Sequence, residues 1–110
     1  PQDSFPCVKE WLQDPNIIVI RFEDLIGPRG GGSLEAQRRI YLTLATHLGY
    51  TLTLEQIDEI AKNSFGGTWT FRNGQIEEWK TAYSESNKAL FNQLFGWTLV
   101  DFGYANDLNW

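Results

Sequence analysis

The stretch LIGPRGGGSLEAQ, from Leu25 to Gln37, is the first place where residue types and spacing invite chemistry. Glycines that precede a helix can present backbone N–H groups to a phosphate. A nucleotide-binding loop of the form G-x-x-x-x-G-K-S/T adds a Lys for the terminal phosphates and a hydroxyl for magnesium. Gly27 and Gly32 have the glycine spacing, but Ser33 and Leu34 stand where the Lys and the hydroxyl belong. The dinucleotide pattern G-x-G-x-x-G fails as well, since Gly30, Gly31 and Gly32 are consecutive. The loop therefore reads as a connection. Ser33 is suited to cap the helix that follows, and Glu35 complements its dipole. Glu23 and Asp24 form a carboxylate pair of the type used in acid–base work. Their bland reading is that they bond backbone groups and cap a turn. His47 and Cys7 are the only residues of their kinds, so a zinc site of the usual ligand set is not expected.

The elements that must position such groups follow from periodicity. Phe5 to Gln13 reads as a short helix ended by Pro15 and Asn16. The β-branched run NIIVIRF, Asn16 to Phe22, reads as a strand buried on both faces. Leu34 to Leu48 is the clearest helix, with Ile40, Tyr41, Leu44, Ala45 and Leu48 on one face and Gly49 just beyond its end. TLEQ, Thr53 to Gln56, is a capping box that opens a second long helix. Ser64 to Lys80 has neither helical nor strand period. It is rich in glycine and aromatics, and such segments often carry function. Trp69, Phe71 and Trp79 there suit either a stacking platform or simple anchoring of the loop. Ser84 can cap a third long helix with Leu90, Phe91, Leu94 and Phe95 as its buried side and Gly96 as its end. LVDFGY follows as a short apolar element. A single strand has unpaired donors and acceptors, so it is expected to pair with chain outside this sequence or with a second copy.

Composition narrows the classes. The 110 residues with 42% hydrophobic content suit one compact domain or a piece of a larger one. A net charge of −5 with scattered Lys and Arg disfavours a nucleic-acid backbone as partner. A small anionic ligand remains compatible. No apolar run reaches membrane-span length, and one cysteine suggests a reducing, cytoplasmic setting. The absence of Met predicts a chain processed or cut from something longer.

Three stretches in order, IIVIRFEDL, NSF and FRNGQIEEWK, resemble the C-terminal part of the PAPS-dependent sulfotransferase family. Those enzymes move a sulfuryl group from 3′-phosphoadenosine 5′-phosphosulfate (PAPS) to a hydroxyl or amine. The family pattern there is roughly Y-E-D-L, then S-F, then R-K-G-x-x-G-x-W-K. The ending LVDFGYANDLNW looks like the tail of bacterial members. The resemblance runs from about Trp11 to Trp110. It implies an α/β class: the C-terminal portion of the P-loop-like sulfotransferase fold, mostly helical with one buried strand. Residues 1–110 would then be the C-terminal part of a sulfotransferase domain.

By position, the resemblance implies that Arg72 and Gly74 hold the 3′-phosphate, with Asn73 in place of the pattern's Lys. Arg offers phosphate a planar fork of donors, and Gly lets the backbone approach closely. Phe22 takes the place of the tyrosine that meets the adenine, and Phe65 that of the aromatic of S-F. Trp79 and Lys80 match W-K. Without the resemblance, Arg72 could equally be a surface ion-pair residue beside Glu77 and Glu78. Glu77 replaces the second glycine of the R-K-G loop and brings a negative charge close to a dianion site. The 5′-phosphosulfate loop of the family, Pro-Lys-Ser/Ala-Gly-Thr-Thr/Ser, has no match. The family's catalytic base also precedes this region. His47 falls on a structural helix. The chain is thus expected to supply the adenine and 3′-phosphate side of a site and to be inactive alone. The alternative is a non-catalytic structural or interaction domain derived from a sulfotransferase. Binding of 3′-phosphoadenosine 5′-phosphate separates the two.

Overall fold

A computed structural model describes residues 4–69 and 71–110. These residues fall into two compact units, 8–76 and 77–110 with residues 4–7. The helices in chain order are α1 (Ser4–Trp11), α2 (Phe22–Leu25), α3 (Leu34–His47), α4 (Leu54–Ser64), α5 (Trp79–Ala82) and α6 (Glu85–Asp101). A 3₁₀ turn, Pro28–Gly30, lies between α2 and α3.

There is no strand among the described residues. The expected α/β class, with the P-loop-like architecture and its one buried strand, is overturned: the regular structure of the described residues is helical only. The physical reason lies in residues 16–22. No backbone hydrogen bond joins Ile18, Val19 or Ile20 to another described residue, so no ladder forms. Nor is the segment buried on both faces. Ile18 and Ile20 are half-buried, whereas Ile17 and Val19 are exposed. Phe22, expected at the strand's end, instead opens α2.

In the unit of residues 8–76, α3 and α4 pack on each other around Ala36, Ala45 and the fully buried Ile57. Both helices start at the expected caps. The Ser33 hydroxyl accepts from Ala36 N–H. Thr53 and Gln56 close a reciprocal capping box, with Gln56 Oε1 accepting from Thr53 N–H at 2.9 Å. Across the pair, Arg38 forks onto Asp58 through Nε (2.8 Å) and an Nη (2.6 Å). Gln37 is buried but satisfied, because its amide donates to Leu25 C=O at 3.0 Å. That bond ties the end of α2 to α3.

The second unit is built on α6 and the C-terminal tail. Helix α6 does not stop at Gly96 but runs through it to Asp101, absorbing part of the expected LVDFGY element. Gly96 is buried mid-helix because Asn92 and Leu108 close over it; a Cβ there would lie 3.1 Å from a Leu108 methyl. Asn92 donates to Leu108 C=O at 2.6 Å and accepts from the Trp110 indole at 3.3 Å. Trp110 in turn meets Trp79 edge-on at 5.1 Å and Phe91 at 5.9 Å. The buried side of α6 is therefore not the full expected stripe. Phe91 and Phe95 are half-buried, while Leu90 and Leu94 are exposed. Among the described residues no helix is long and apolar enough to cross a membrane.

Candidate functional site

The described residues of the segment, 65–69 and 71–76, follow α4 without regular structure, in keeping with their lack of period. Its shape is set by rings and glycines. Phe65 and Phe71 meet edge-to-face at 5.2 Å. Gly74 lies against both, at φ +63°. A Cβ at Gly74 would stand 2.8 Å from the Phe71 ring and 3.6 Å from Phe65, so both the conformation and the space demand glycine. Between these fixed points Arg72 and Asn73 are exposed. Arg72 makes no ion pair or side-chain hydrogen bond with another described residue. In the other unit Glu77 binds Lys80 at 2.6 Å.

The glycine loop has a larger part than a bare connection. Gly30 C=O accepts from Ile76 N–H at 2.9 Å, and Arg29 C=O accepts from the Gln75 amide at 2.9 Å. The two loops come so close that a Cβ on Gly30 would stand 2.6 Å from the Gly74 carbonyl oxygen. Arg29 completes the junction. Its guanidinium stacks 4.5 Å from the centre of the Phe65 ring, and one Nη donates to Lys62 C=O at 3.4 Å. The turn that presents Arg72 is therefore clamped from below by residues 29–30 and from the side by the Phe65–Phe71 pair.

Of the residues expected at a site, the structure brings Phe65 and Gly74 together and holds Arg72 and Asn73 on the same turn. Phe22 is not brought in: it is exposed at the start of α2 and makes no ring contact with another described residue. Glu23 and Asp24 occupy the first turn of α2, where their charge suits the helix dipole. His47 is exposed in the last turn of α3. Among the described residues no three His, Cys, Asp or Glu side chains group to hold a metal ion.

Sequence reasoning missed Arg29, Gln75 and Ile76. Their contacts cross between loops more than 40 residues apart, and no period announces them. It also missed a pocket of about 250 Å³ on the outer side of Phe65, lined among others by Arg29, Leu34, Arg38, Asp58 and Lys62. One signal was available: Asp58, Ala61 and Lys62 share one face of α4, with Phe65 just beyond its end. In the pocket, the hydrogen bond from Arg38 holds the Asp58 carboxyl below its ordinary value, with their charge attraction adding to it, and Asp58 likewise raises Arg38.

No protein-family model, no curated protein and no solved structure matches the chain.

Proposed function

We propose that this chain carries the adenine and 3′-phosphate side of a PAPS-dependent sulfotransferase, acting on an acceptor hydroxyl or amine. The observation that carries the reading is at residue 77. Glu77 has φ +62° and is the only non-glycine residue with positive φ among the described residues. The family pattern that FRNGQIEEWK resembles has glycine at that position, and at Gly74, where φ is +63°. The backbone thus takes a glycine conformation at both glycine positions of the pattern, even where the side chain has changed. In this reading Arg72 supplies the fork to the 3′-phosphate, and Gly74 lends its backbone N–H. Phe65 stacks near the base, while Phe22 would have to be brought to it by other parts of the enzyme.

The chemistry itself would be supplied by groups outside these residues, as would the acceptor site. A cytoplasmic setting fits the use of PAPS. The second reading, a non-catalytic interaction domain, is favoured by the fully exposed Trp69 at the edge of the same loop. Calorimetry with 3′-phosphoadenosine 5′-phosphate decides: binding that depends on Arg72 supports the first reading, and no binding supports the second.

A further inference from the structure

We propose that the pocket between the glycine loop and the α3–α4 pair is a binding site for a small aromatic oxyanion, of the aryl phosphate or aryl sulfate kind. The pocket shares Phe65 and Arg29 with the surroundings of the Arg72 turn, but it does not include Arg72 and does not rest on the nucleotide reading. Its charge is the first argument. Four of the lining side chains are ionisable: Arg29, Arg38, Asp58 and Lys62. Arg38 and Asp58 satisfy each other through two short bonds and leave no net charge. Arg29 and Lys62 have no carboxylate partner among the described residues. Two uncompensated cations thus face one small cavity in a chain whose net charge is −5. Arg29 commits a single donor, at 3.4 Å, to Lys62 C=O, so most of its guanidinium donors remain for a ligand.

Shape is the second argument. Beside Gln37, whose amide is committed to Leu25 C=O, Ile26, Pro28, Leu34, Ala61 and Phe65 give the wall an apolar part that a bare inorganic ion would leave unused. At about 250 Å³ the cavity falls just below the usual range for drug-sized ligands, which fits one substituted ring with its charged group. The Arg29 guanidinium is also pre-oriented by its stack on Phe65. A pre-oriented fork loses little freedom on meeting an oxyanion.

The test is an NMR titration of the intact chain with phenyl phosphate, phenyl sulfate, phenol and inorganic phosphate. Saturable shifts at Arg29, Ala61 and Lys62 are expected for the two aryl esters. Phenol should give none, and inorganic phosphate should bind roughly tenfold or more weakly. Arg29→Ala and Lys62→Gln should each weaken phenyl phosphate by about tenfold or more, as loss of a charge-assisted contact requires. Lys62 is exposed, so its variant tests the site even if Arg29→Ala disturbs the loop. Arg72→Ala should leave the affinity unchanged. Equal affinities for wild type and Lys62→Gln would overturn the proposal. So would shifts that vanish in Arg72→Ala, because they would assign the anion to the other loop.

Discussion

Glu77→Gly should stabilise the protein, and the size of the gain follows from the backbone. A residue with a side chain pays about 1–2 kcal/mol to sit in the left-handed region. Glu77 sits there at φ +62°. Glycine removes that cost but gives back about 0.5–1 kcal/mol through its greater freedom in the unfolded chain. The lost ion pair with Lys80 is exposed, with both side chains at least half open to solvent, and contributes only a few tenths of a kcal/mol. The balance favours Glu77→Gly over wild type by about 0.5 kcal/mol. Glu77→Ala is the control that matters. It loses the same ion pair and keeps the strain, so it should be slightly less stable than wild type and about 0.5–1 kcal/mol less stable than Glu77→Gly. With an m-value of about 1–3 kcal/mol/M for urea, the two variants should differ in unfolding midpoint by a few tenths of a molar. Circular dichroism at the helical band reads it. If Glu77→Ala proved as stable as Glu77→Gly, the left-handed backbone at residue 77 would be wrong, and the glycine argument for the loop would fall with it.

Other predictions bear on the packing. Gly96→Ala should destabilise by about 0.5–1 kcal/mol, against helix propensity, because the new methyl displaces Asn92 from Leu108 and Trp110; in an Asn92→Ala background the same change should become neutral or stabilising. Stability should fall as pH drops from the ordinary carboxyl value of 3.8 through the lower folded value of Asp58. The folded form binds that proton less readily, so the stabilisation is present above this window and lost below it. Asp58→Asn should flatten this limb of a thermal melt series, and high salt should shrink it, since the pair is partly exposed.

Helix starts were legible because they are written locally. Ser33, the Thr53–Gln56 box and Ser84 each need only neighbours three residues away, and each caps as expected. The segment 16–22 was misread because its β-branched composition reports a preference, while a strand also needs partners that composition does not supply. Gly96 was misread for a related reason. A glycine near a plausible helix end resembles a stop, and only the tail folding back from Leu108 to Trp110 explains a glycine inside the helix. At the candidate site, the aperiodic aromatic loop and its Arg72–Gly74 turn were visible as an anomaly. The clamp from Arg29 and Gly30, and the pairing of Arg38 with Asp58, were not. They join residues 20 to 46 positions apart, and a sequence carries no periodic trace of such contacts.

The central proposal concerns the Arg72 turn, and one calorimetric comparison addresses it most directly. The protein is titrated with 3′-phosphoadenosine 5′-phosphate and with adenosine 5′-phosphate, as wild type and as Arg72→Ala. The account predicts that wild type prefers the 3′-phosphorylated nucleotide, and that Arg72→Ala loses about 1.5–3 kcal/mol for it, roughly ten- to hundredfold in affinity, while binding of adenosine 5′-phosphate hardly changes. Equal losses for both nucleotides, or no preference in the wild type, would contradict the account and leave Arg72 without a role in phosphate recognition.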